Sequence, residues 1–73
     1  MTMEDMIQAR FAALIGAAAK VGHFFQGDAD KTYAWFSTDN PLMGGIRPLD
    51  MLLISPHRLH SMIDQMLEEN SKG

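Results

Sequence analysis

The chain has 73 residues, a formal net charge of −3 and no cysteine. This length supports a single domain, and the lack of cysteine excludes disulfide bonds, thiolate catalysis and zinc–thiolate sites. The six basic residues are scattered singly. Because binding to nucleic acid requires clustered lysine and arginine, we expect no direct nucleic-acid binding.

No segment predicts a targeting signal or a membrane span. The longest largely apolar stretch, residues 11–21, is interrupted by Gly16 and Lys20. It is shorter than the about 20 apolar residues that a bilayer requires. The first residues are acidic, where a signal peptide would be basic. We therefore expect a cytoplasmic protein that does not enter a membrane.

The first predicted element is an amphipathic helix over residues 1–22, with Thr2 as its N-cap and Gly22 as its end. Glu4 lies in the first turn, where the helix dipole favours an anion. Apolar side chains recur at spacings of three and four and form one stripe: Ile7, Phe11, Leu14, Ala18 and Val21. A chain this small cannot cover all its apolar side chains, so we expect a homodimer through this helix.

Two short helices and a longer one follow. Asp28 is the predicted N-cap of a helix over residues 29–37, and Pro48 precedes a short helix that ends near residue 53. Ser55 is the predicted N-cap of the last helix, and residues 70–73 are predicted to form a frayed polar tail. No apolar run alternates as a strand does. The predicted fold is one all-α domain over residues 1–73, a small bundle of four helices, two of them short.

The candidate metal ligands and phosphate-binding residues give weak patterns. His57, His60 and Asp64 follow one side of the last helix, and His23 could join them. Zinc needs three or four ligands in fixed geometry, so we favour a solvated face for these side chains. The Gly44-Gly45 pair lacks the preceding strand and following long helix of a phosphate-binding loop. No paired nucleophile and base can be placed, and we expect neither an enzyme nor a cofactor.

Residues 28–67 carry one tryptophan, two prolines and a glycine pair at set distances. The pattern reads Thr32-x-x-Trp35-Phe36, then Asn40-Pro41-Leu42-x-Gly44-Gly45-x-x-Pro48-Leu49-x-x-Leu52. It resembles the toxin-binding domain of the bacterial Xre/MbcA/ParS-type antitoxins, which are the partners of RES-domain toxins. The resemblance covers about forty of the 73 residues. It assigns structural roles to Trp35, Pro41, Gly44, Gly45 and Pro48.

The resemblance implies a helical module that docks on a RES-domain toxin, an enzyme that degrades NAD or transfers ADP-ribose from it. Docking would be steric, through apolar surface around the Gly44-Gly45 turn and on the last helix. The expected contacts are Leu42, Met43, Ile46, Arg47 and Met66. Trp35 can serve either as a partner contact or as part of the core, and we favour the core.

Three departures from the family qualify what the resemblance implies. The helix-turn-helix region that usually precedes the domain is not represented, so we expect no autorepression through DNA by this chain alone. The ending, residues 68–73, is polar where the family tends to have a glycine-containing apolar or basic tail, and Thr32 stands where alanine is more common. The alternative function is a small homo-oligomeric structural or interaction protein without a toxin partner.

Overall fold

The computed structural model describes residues 2–72, apart from the side chain of Lys72. Four α-helices and one short 3-10 helix account for most of these residues, which contain no strand. The prediction of an all-α fold with two short helices is confirmed. The elements in chain order are α1 (Met3–Phe24), α2 (Ala29–Ser37), the 3-10 helix (Pro41–Met43), α3 (Pro48–Ile54) and α4 (Pro56–Lys72).

α1 begins where the sequence predicts and ends later. The Thr2 side chain accepts a hydrogen bond from the Asp5 amide at 3.1 Å, and the Asp5 carboxylate accepts one from the Thr2 amide. This reciprocal pair is a capping box. The predicted end at Gly22 is wrong, because the residues with positive φ, which turn the chain, are Gln26 and Gly27.

Side-chain caps also begin α2 and α4. The Asp28 carboxylate accepts from the Lys31 amide at 3.0 Å, and α2 has the predicted bounds. The Ser55 hydroxyl accepts from the Arg58 amide at 3.2 Å, with Pro56 as the first helical residue. The prediction of a frayed tail is wrong for residues 70–72, because α4 extends to Lys72; Gly73 lies outside the described residues.

The core lies where α1, α3 and α4 meet, with α2 closing one side. Leu59 and Ile63, from the apolar stripe of α4, are fully buried. The stripe of α1 is divided: Val21 is buried, whereas Ile7 and Phe11 are 61% and 62% exposed. The buried apolar side chains are Ala17, Val21, Phe36, Met43, Met51, Leu52, Leu59 and Ile63.

α1 and α4 run in the same direction. Ala13 of α1 contacts His60 near the start of α4, and Lys20, two turns further along α1, contacts Asp64, one turn further along α4. α4 begins only at Pro56, so the first turns of α1 extend beyond it. None of the described helices is both long and apolar enough to cross a membrane.

Candidate protein-binding surface

The segment from Asn40 to Ile46 is a closed turn that divides its apolar side chains between the surface and the core. The Asn40 amide donates to the Ile46 carbonyl at 3.1 Å, and the Asn40 side chain accepts from the Leu42 amide at 2.9 Å. Gly44 and Gly45 both have positive φ, 71° and 83°, which glycine adopts without steric cost. The turn leaves Leu42 77% exposed and buries its neighbour Met43 to 6% exposure.

Leu42 lies opposite the second half of α4, and a groove of about 220 Å³ separates them. Met62 and Met66, one helical turn apart, line this groove, and Gln65 and Glu69 supply its polar edge. Methionine suits such a surface because its flexible, polarisable side chain adapts to different partners. The structure therefore brings together Leu42 and Met66, which the sequence predicts as contacts. Met62 was not predicted as a contact, although its spacing from Met66 was visible.

The other three predicted contacts lie elsewhere on the turn. Met43 belongs to the core, so its side chain is not part of a surface that a partner could touch. Ile46 is partly buried and packs against the same core. Arg47 is exposed and does not line the groove.

Arg47, the residue before α3, is paired with Asp50 in the first turn of that helix. Its Nε and Nη2 atoms donate to the two carboxylate oxygens of Asp50, each at 2.8 Å. These hydrogen bonds, together with the attraction of opposite charges, raise the pKa of Arg47 and lower the pKa of Asp50 below its ordinary value. A partner that binds Arg47 must therefore compete with Asp50 for the guanidinium.

Trp35 packs partly against the core and keeps one side open. Its ring meets the neighbouring Phe36 ring edge to face, with centroids 5.0 Å apart. The open side lines a shallow depression of about 430 Å³, together with Phe25 and Pro41. Trp35 thus contributes to the core, as the sequence favours, while its open side lies at the surface. Pro48 is buried as the first residue of α3.

The histidine and aspartate side chains of α4 do not all lie on a solvated face. His60 is partly buried, and its Nε2 atom donates to the Ala13 carbonyl oxygen at 2.9 Å. Asp64 is exposed and forms an ion pair with Lys20 of α1 at 2.6 Å. His57 and Asp64 fit the expectation of an exposed face, and His60 does not. Within residues 2–72 no three histidine, aspartate or glutamate side chains are grouped so that they could hold a metal ion.

These features define the class of the protein: a small all-α bundle with an exposed apolar groove between a closed turn and its last helix. No protein-family model matches the chain, and comparisons with curated proteins and with solved structures found no match. The likeness to the antitoxin family therefore rests on the sequence motif of residues 28–67 alone.

Proposed function

We propose that this chain is a protein-binding module that docks on a RES-domain toxin and acts by binding rather than by catalysis. The observation that carries the proposal is the groove in which Leu42 faces Met62 and Met66. An exposed leucine costs free energy in water, and here a hydrogen-bonded turn holds it at the surface. The two methionines beside it complete an apolar site.

The same turn carries the residues on which the family resemblance rests. Pro41, Gly44 and Gly45 set the backbone that directs Leu42 outward. The proposal therefore assigns docking to Leu42 and Met66, with Ile46 and Arg47 at the margin of the interface. A cytoplasmic location belongs to the proposal, because RES-domain toxins consume NAD inside the cell.

The test is co-expression with a RES-domain protein encoded beside this chain, followed by affinity purification of the complex. We expect a complex whose dissociation constant rises at least ~tenfold in Leu42→Glu and in Met66→Glu, because charge in the centre of an interface is costly. Ile54→Glu is the matched control, since Ile54 is also exposed and lies outside the groove.

Each outcome decides a different part of the proposal. A folded chain that forms no complex with the toxin would refute the function. A complex that Leu42→Glu and Ile54→Glu weaken equally would keep the function and reject the groove as its site. Consumption of NAD by the toxin, measured with and without this chain, then tells whether docking also neutralises the enzyme.

The alternative, a homo-oligomeric protein without a toxin partner, has support of its own in the exposed apolar side chains of α1. That surface is separate from the Leu42–Met66 groove, so self-association and toxin binding do not exclude each other.

A further inference from the structure

One face of the molecule exposes large apolar side chains around a groove. The groove, of about 490 Å³, lies between α1 and α2 and is floored by Leu14, Ala18, Gly22, Phe36 and Leu49. Six large side chains of α1, α2 and α3 are 58% to 77% exposed: Met3, Ile7, Phe11, Ile15, Tyr33 and Leu53. Tyr33 lines the groove itself, the four side chains of α1 follow the same side of that helix as Leu14 and Ala18 at helical spacing, and the backbone of Leu53 contacts Arg10 of α1. We refer to the groove and these six side chains together as the α1 face.

We propose that a second copy of this chain covers the α1 face, with the two α1 helices packed antiparallel about a two-fold axis. This dimer does not depend on toxin binding, because it uses a different surface.

The α1 face is large enough for a stable dimer. Each of the six exposed side chains presents on the order of 100 Å² to water, or roughly 600 Å² on each copy. Two copies would bury about 1,200 Å², the lower end of the range for specific interfaces, before the groove itself is counted. A monomer seldom leaves an apolar patch of this size uncovered.

The distribution of side-chain size along α1 favours packing against the α1 helix of a second copy. Large residues occupy the first half of the face, and small residues occupy the second half. A two-fold axis between Leu14 and Ile15 places Phe11 against Ala18 of the second copy and Ile7 against Gly22 of the second copy. A cavity of about 150 Å³ is enough to hold benzene, so the groove has room for the Phe11 ring and a further side chain.

Charge favours the antiparallel orientation over the parallel one. The first turn of α1 carries the carboxylates of Glu4 and Asp5, whereas Lys20, nearer its end, is already paired with Asp64 of α4. Antiparallel packing keeps the acidic turns of the two copies at opposite ends of the interface and opposes the helix dipoles. Parallel packing would bring four carboxylates together at one end.

The mass in solution tests whether the dimer exists. We expect sedimentation equilibrium at micromolar concentration to give twice the 8.1 kDa of one chain. Phe11→Asp should raise the dissociation constant ~hundredfold, because each dimer contains the substitution twice at a buried position. Ala12→Asp is the matched control: it sits on the same helix at an exposed position away from the α1 face, and should leave the mass unchanged.

Disulfide trapping tests the register, since the chain has no cysteine of its own. The double variant Phe11→Cys with Ala18→Cys should form a covalent dimer on mild oxidation, and each single variant should not. Positions 11 and 18 lie about 10 Å apart along one helix, beyond the about 7 Å that a disulfide can span. In the antiparallel dimer the two copies of position 11 are separated by the same axial distance.

A monomeric mass for the folded wild-type chain would overturn the proposal and assign the α1 face to a different protein. A dimer that Phe11→Asp and Ala12→Asp affect equally would overturn the interface. Cross-linking of the single Phe11→Cys variant would instead indicate parallel helices, and no cross-link in the double variant would reject the register. Because cysteine is itself apolar, the trapping variants place no charge on the α1 face, and trapping decides the question even where Phe11→Asp reduces helicity.

Discussion

His60 joins α4 to α1 by a hydrogen bond and by a close approach of its ring. Its Nε2 atom donates to the Ala13 carbonyl at 2.9 Å. At Gly16, on the same side of α1, an added Cβ would lie 3.3 Å from the His60 Cε1 atom. The missing side chain at Gly16 therefore leaves the room in which the imidazole lies against the helix.

We predict that His60→Ala lowers the free energy of unfolding by about 1–2 kcal/mol. The substitution removes a hydrogen bond between the two longest helices and leaves a space beside Gly16. His57→Ala is the control on the same helix; His57 is exposed, so its replacement should change stability by less than about 0.5 kcal/mol. Urea denaturation of both variants measures the difference, and equal losses would contradict a bridging role for His60.

At the level of single residues, the sequence shows that a side chain is apolar, but it does not predict whether that side chain faces the core or the solvent. Leu42 and Met43 are adjacent apolar residues on one turn, and both were predicted as contacts. Only the closed turn, fixed by the pairing of Asn40 with Ile46, decides that Leu42 faces solvent and Met43 faces the core. The glycine pair predicts a turn at this place, but it does not predict which of the two neighbouring side chains the turn directs inward.

The starts of the helices follow from local chemistry, and the caps at Thr2, Asp28 and Ser55 were all predictable. The cap at Ser55 matters most for the core, because α4 supplies two of its fully buried side chains. Its hydroxyl satisfies the Arg58 amide, one of the four amides that the first turn of a helix leaves without a partner.

We predict that Ser55→Ala lowers the free energy of unfolding by about 1 kcal/mol, within the range of about 0.5–2 kcal/mol for the loss of an N-cap. Ser61→Ala in the exposed middle of α4 is the control, and it should be neutral or slightly stabilising because alanine is the better helix former. Thermal denaturation followed by circular dichroism compares the two. A loss at position 61 as large as that at position 55 would rule out capping as the cause.

Helix ends and helix neighbours were harder to predict. Gly22 looked like the end of α1, yet the left-handed residue that a helix end uses is Gln26. The α1 stripe was correct as a pattern, but periodicity cannot say how much of it other helices cover. How much of the α1 stripe is covered depends on where α4 begins. α4 begins beside the middle of α1 and therefore does not cover the first turns of α1.

At the scale of the whole molecule, the stability of the folded chain depends on how much apolar surface the core buries and how much apolar surface stays uncovered. Among the described residues, eight buried apolar side chains form the core, and the α1 face exposes six large ones. A domain of this size gains only about 3–5 kcal/mol from a single core. Dimer formation would add to this, because a partner that binds only the folded state shifts the unfolding equilibrium towards it.

We therefore predict that the midpoint of thermal unfolding rises with protein concentration. A tenfold increase contributes about 1.4 kcal/mol per dimer. Divided by the unfolding entropy of two chains of this length, at about 2.1 cal/mol/K per residue, this corresponds to a shift of roughly 3–6 °C. The measurement is calorimetry over a hundredfold range of concentration. Ala12→Asp should retain the dependence and Phe11→Asp should lose it, since only Phe11 lies in the α1 face; a midpoint independent of concentration in the wild type would mean that the chain unfolds as a monomer.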